Sequence, residues 1–145
     1  MDALALRERA EELYRSGQFL CSEAIVCTFN EAMDDPMPEE VVRLASGFPA
    51  GMGALGTGGC TCGALSGGVM VLGMVYGRST RGSDAPLVLH KAKELHDWFK
   101  SEKGSTCCRV LLAGMEFASP AHIDQCVTFT SDVAEHLALM LDVAE

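Results

Sequence analysis

Leucines at 4, 6 and 13, with charged residues between them, mark residues 2–16 as an amphipathic surface helix. Ser16-Gly17 supplies its stop. Cys21-Ser22-Glu23 opens a second helix that runs to about Met33, with Ser22 as its expected N-cap and Asp34-Asp35-Pro36 as its end. A third, short helix begins near Pro38, where Glu39 and Glu40 in the first turn complement the helix dipole, and reaches about Ser46. A glycine-rich loop, residues 47–59, leads into an apolar helix from about Cys62 to Tyr76. The polar connector GRSTRGSD follows. Between Asp84 and Lys103, residues Leu87, Leu89, His90, Ala92, Leu95, Trp98 and Phe99 recur at helical spacing, and Gly104 ends the run. STCCRVLLAG predicts a short helix capped by Ser105 or Thr106. Ser119-Pro120 is an N-cap and N1 pair for a last helix to the C-terminus. No strand-like alternation is sustained. The pattern predicts an all-α fold of six or seven helices around a central glycine-rich helix, in one domain spanning residues 1–145.

The stretch from Leu44 to Tyr76 carries no charge, which raises the question of a membrane span. Its first half holds Pro49 and many glycines. Its second half falls short of the ~20 apolar residues a bilayer requires. A buried helix, with no membrane span, is the expectation. The N-terminal segment is charged within a few residues and has no apolar signal core, so a cytoplasmic location is expected. The formal net charge is −9 and the pI about 4.8, and the eleven basic residues are scattered. That balance argues against nucleic acid as a partner, because phosphate recognition needs clustered Lys and Arg.

Seven cysteines in 145 residues change the picture. The number is odd and nothing marks secretion, so reduced thiols, metal ligation or redox chemistry are expected in place of a disulfide framework. Cys62 lies at the start of the central helix, where N–H groups and the dipole would lower a thiol pKa. Gly59, Gly63 and Gly67 recur every four residues beside it, with Gly73 and Gly77 further along, and would allow close helix approach. Cys21 opens its helix and is the better candidate there. Cys27, six residues on, points elsewhere and reads as packing. Cys60 and Cys62 form C-x-C, a weaker chelating signal than C-x-x-C. Cys107 and Cys108 diverge by about 100° on a helix, so one of the two faces inward. His122 and Cys126 share a face at i, i+4, compatible with a mixed ligand pair, although an ordinary helix-start histidine is the commoner meaning. His90 and His96 have no ligand spacing. A G-x-G-x-x-G match at residues 51–56 follows a helical stretch and not a strand, which does not support a dinucleotide fold.

Taken together, the cysteine opening C-S-E-A-I, the loop G-F-P-A-G-M-G-A-L-G, the motif Cys62-Gly63-Ala64-Leu65-Ser66-Gly67, the C-R-V-L-L segment and the final Q-C-V resemble the C_GCAxxG_C_C family. These are small proteins, called redox-active on account of their cysteines, with four family cysteines and a C-G-A-x-x-G motif. The resemblance covers Gly17 to about residue 135. It implies that the site cysteines are Cys21, Cys62, Cys108 and Cys126. Cys108 is favoured over Cys107 because Arg109 and Leu111 complete a C-R-x-L pattern. Cys27, Cys60 and Cys107 become extras. The resemblance extends to a domain of split-Soret-type cytochromes that carry an iron–sulfur centre. This chain lacks a haem attachment motif, so the implied shared feature is the cluster.

Two functions follow as expectations. In one, Cys21, Cys62, Cys108 and Cys126 bind an iron–sulfur cluster or zinc. In the other they cycle between thiol and disulfide, with Cys62 attacking and Cys21 or Cys108 resolving, in exchange with an electron or thiol partner. The alternative is a non-catalytic all-α module, homodimeric or partner-binding, whose cysteines and eight methionines serve packing.

Overall fold

The computed structural model describes residues 2–53 and 58–144, with side chains through Leu141. The described residues form seven α-helical segments and one 3-10 helix, with no strand among them. The first, α1 (Ala3–Arg15), starts on Asp2, whose carboxylate accepts the N–H groups of Leu4 and Ala5 at 3.1 Å. It buries Leu6, Ala10 and Leu13, one stripe at helical spacing. α2 (Cys21–Ala32) begins two residues earlier than a Ser22 cap would place it. Leu20 is the cap, and its N–H donates to Glu23 at 3.2 Å. Ser22 is wholly buried and donates to the Ala45 carbonyl at 2.7 Å, so its hydroxyl ties two elements together instead of capping one.

The segment expected as a third α-helix is a 3-10 helix, Glu39–Ala45. Its tighter winding places Val41, Val42 and Ala45 against the core within seven residues. The glycine-rich loop holds a short turn, α3 (Pro49–Gly53), in which Ala50, Gly51, Met52 and Gly53 all have positive φ. Two of these are not glycine, and left-handed residues with a Cβ cost about 1–2 kcal/mol each. The Ala50 carbonyl accepts the Gly59 N–H at 3.1 Å and so joins the two sides of the loop. Residues 54–56 of the G-x-G-x-x-G match lie outside the described residues.

α4 (Gly63–Tyr76) is the central helix. Gly63 through Gly68, Val71 and Leu72 are all buried, and it packs against α2, α7 and α5. The glycine stripe is partly as expected. A Cβ at Gly67 would stand 2.8 Å from the Ser22 carbonyl oxygen, so α2 and α4 touch backbone to backbone there. Gly73 faces open space and takes no part, and Gly59 precedes the helix.

α5 (Pro86–Lys103) buries Leu95 and Phe99 and ends at Gly104 with φ +84°. α6 (Cys108–Leu111) is a single turn. Its cap is Cys107, not Ser105 or Thr106. The Ser105 hydroxyl accepts the Cys107 N–H at 3.1 Å and positions that cap. α7 (Pro120–Ala144) begins where Ser119 Oγ accepts the His122 N–H at 3.2 Å. It lies along α1, where Arg7 pairs with Asp132 and Glu135 and Arg15 with Asp124. Phe29, Phe99, Leu13, Ile25, Leu65, Leu72, Leu95 and Leu137 fill the core between these helices. Among the described residues, no helix is long and apolar enough to cross a membrane.

Candidate functional site

Four chain segments bring their cysteines to one place. Cys21 opens α2, Cys62 caps α4, Cys108 opens α6 and Cys126 lies in the second turn of α7. All four line a cavity of about 50 Å³ beneath Pro49 and Ala50. Its other walls come from Tyr14, Leu20, Gly63, Leu111, Leu112, Phe117, His122 and Phe129. No described lining residue carries a formal charge.

Local structure explains the convergence. The Cys62 N–H donates to the Thr106 carbonyl at 2.7 Å, and the Arg109 N–H donates to the Gly59 carbonyl at 3.0 Å. These two bonds lay residues 58–62 alongside residues 106–109 and carry Cys108 to the mouth of α4. Gly63 makes room on the other side, since a Cβ there would fall 2.3 Å from Cys21 Sγ. Cys107 and Cys108 diverge as expected: Cys108 is buried in the cavity wall, and Cys107 is turned outward and partly exposed.

Electrostatics overturn one expectation. The Cys62 sulfur does accept the N–H groups of Ala64 and Leu65, as a helix-start thiol should, but burial outweighs them and its pKa is pushed up to about 12. Desolvation of a thiolate exceeds what two N–H donors return. Burial likewise lifts Cys21 well above the ordinary thiol range, reinforced by Cys62 and Cys126. Cys108 rises to about 11 through burial, then through Cys126 and Cys107. Burial raises Cys126 too, opposed by a hydrogen bond from the Tyr14 hydroxyl. Each of the four thiols is coupled to the other three, so a thiolate at any one would disfavour a thiolate at the rest. At neutral pH the pocket is therefore lined by neutral S–H groups.

Two further wall residues bear on the cysteines: His122, whose spacing to Cys126 is compatible with a ligand pair, and Tyr14, which no motif marks. His122 Nδ1 accepts the Ala118 N–H at 3.3 Å, which leaves the proton on Nε2, 3.9 Å from Cys126 Sγ. Burial lowers its pKa and keeps it neutral. The i, i+4 spacing to Cys126 was the signal, and it is met. Tyr14 came from the far end of α1 with no motif. Cys27 lies apart, its thiol donating to Glu31 at 3.5 Å. Cys60 is also outside the pocket, but it is not alone: its sulfur lies 3.0 Å from that of Cys107. All seven cysteines are free thiols. Among the described residues, no group of three or more His, Cys, Asp or Glu side chains is arranged to hold a metal ion. The pocket thiols line its walls without being drawn onto one point.

An all-α fold with four chain segments delivering cysteines to one uncharged pocket defines a class of small cysteine-site proteins. The chain belongs within it to the family described as "Putative redox-active protein (C_GCAxxG_C_C)", whose model matches residues 19–140. The match covers the pocket cysteines and every helix except α1, with α7 as far as residue 140. No match was found among curated proteins or among solved structures.

Proposed function

We propose that the pocket of Cys21, Cys62, Cys108 and Cys126 is the redox site of this protein and that its four sulfurs are a ligand set for an iron–sulfur cluster or zinc. The observation that carries this reading is the convergence of four cysteines, from four separate segments, on one cavity without a charged wall. In chemical type the wall suits a soft cation, four sulfurs and no carboxylate, and the sulfurs, which in this structure are not drawn onto one point, would close in around it. Such a group would supply one-electron transfer if iron–sulfur, or a clamp between helix starts if zinc. The chain's own part is to exclude water with Leu111, Leu112, Phe117 and Phe129, to offer N–H donors from Ala64 and Leu65 to sulfur, and to turn Nε2–H of His122 towards Cys126. An electron carrier or thiol protein would be the partner.

A second reading is thiol–disulfide cycling among the same four cysteines, favoured by their free state and shared cavity. Its weakness is the raised pKa of every pocket thiol, since the thiolate is the nucleophile.

Anaerobic purification followed by iron, zinc and sulfide analysis, with absorption near 400 nm, separates these readings. Metal lost on Cys62→Ser and Cys126→Ser supports the first. Metal-free protein that loses pocket thiols on mild oxidation supports the second. Metal-free protein whose pocket thiols never change overturns both and leaves a packing role.

A further inference from the structure

Cys60 and Cys107 lie outside the pocket and outside the four family positions. Their sulfurs are 3.0 Å apart, closer than two thiols resting in van der Waals contact, although 47 residues separate them in sequence. The arrangement is held from both sides. The Arg109 N–H to Gly59 carbonyl bond flanks the pair on one side, and the Cys62 N–H to Thr106 carbonyl bond flanks it on the other. Cys107 Sγ also approaches the Gly59 carbonyl at 3.6 Å. The two backbones are therefore fixed opposite each other before any covalent bond forms. Cys60 is exposed and Cys107 partly exposed, in contrast to the buried pocket cysteines.

We propose that Cys60 and Cys107 are a second, surface dithiol site that closes to a disulfide by exchange with a low-molecular-weight disulfide such as glutathione disulfide. Cys107 is the attacking sulfur. Its sulfur is bracketed by the Cys60 sulfur at 3.0 Å and the Gly59 carbonyl at 3.6 Å, so a mixed disulfide formed on it has its resolving thiol already within reach. The Cys107 thiolate attacks one sulfur of the small disulfide and expels one thiolate, giving a mixed disulfide on Cys107. Cys60 then loses its proton and attacks the Cys107 sulfur, breaking the mixed bond and expelling the second small thiolate. The two protons given up by the protein thiols end on the two departing thiols. In sum, one protein dithiol and one small disulfide become one protein disulfide and two small thiols, and the protein is oxidised by two electrons. Reversal needs only excess small thiol.

This site stands independently of the pocket's function. The test uses the full chain, reduced and then titrated anaerobically with glutathione disulfide, alkylated, digested and mapped by mass spectrometry. The expected result is the loss of two thiols per chain and a single Cys60–Cys107 cross-link. Cys60→Ser should halt at a glutathione adduct on Cys107, and Cys107→Ser should form no intramolecular cross-link at Cys60. Repeating the titration on Cys62→Ser keeps the answer separate from the fate of the pocket. No thiol loss, or a cross-link joining Cys107 to Cys108 or two pocket cysteines, overturns the proposal.

Discussion

Cys21 Sγ stands in the space that a side chain at residue 63 would need: a Cβ there would lie 2.3 Å from the sulfur. The glycine of the C-G-A-x-x-G motif is thus a steric requirement of a cysteine 42 residues earlier. Gly63→Ala is expected to displace Cys21 from the pocket wall and to cost about 1–3 kcal/mol by overpacking. Urea unfolding measures the cost, and the Cys21 alkylation rate reports the displacement. Gly73→Ala on the same helix meets nothing within 4 Å, and replacing glycine inside a helix should there stabilise by roughly 0.5–1 kcal/mol. Equal effects at the two positions would refute the assignment.

The pocket thiols make stability depend on pH in the alkaline range. Below the ordinary thiol pKa of 9.0, Cys62 and Cys108 are protonated whether folded or unfolded. Above it the unfolded chain releases these protons while the folded chain keeps them, so stability falls as pH rises. Each such thiol takes away about 1.4 kcal/mol per pH unit. The loss should run from pH 9 to about 11 for Cys108 and to about 12 for Cys62. Unfolding free energies from pH 8 to 11 for the native chain and for Cys62→Ala compare the slopes, and the variant's should be shallower.

Tyr14→Phe removes the hydroxyl that donates to Cys126. A lost hydrogen bond of this kind costs about 0.5–1.5 kcal/mol. The more specific outcome is chemical: without the donor, the Cys126 pKa rises further and its alkylation at pH 8–9 slows, while Cys108 is unaffected. Rates resolved by peptide mapping decide it.

Closing the surface pair joins residues 47 apart. In the chain-entropy model a loop of that size stabilises by up to about 4 kcal/mol. Oxidised protein should therefore show a higher midpoint in urea than reduced protein, and the gain should vanish in Cys60→Ser. An unchanged midpoint on oxidation would mean that the bond strains the native state by as much as it restricts the unfolded one.

Helix positions were legible because apolar spacing and punctuation agree, as at Ser16-Gly17, Gly104 and Ser119-Pro120. Caps were less so. Ser22 has cap chemistry but is spent on the Ala45 carbonyl, and Glu23 satisfies the helix start instead. Cys21, Cys62, Cys108 and Cys126 were named from the motif pattern, and they line one cavity. Their pKa values were not legible, because helix-start position is local and burial is a property of the whole fold. Tyr14 was hidden for the same reason. Cys60 reads as an extra in the sequence, because its pairing with Cys107 depends on two backbone hydrogen bonds between distant segments that spacing does not encode.

The uncharged pocket also fixes the proton account of anything that happens inside it. A neutral thiol that becomes a metal ligand must release its proton, so uptake of a cation should strengthen about tenfold per pH unit for each thiol engaged. A pair of neutral thiols that becomes a disulfide releases two protons with two electrons, and its midpoint potential should fall by about 59 mV per pH unit, twice the tenfold step of a two-electron couple. For a Cys62–Cys108 pair that slope should persist to about pH 11, where Cys108 ionises. Under either chemistry, the apolar wall makes the site an exchanger in which protons leave as metal or oxidising equivalents arrive.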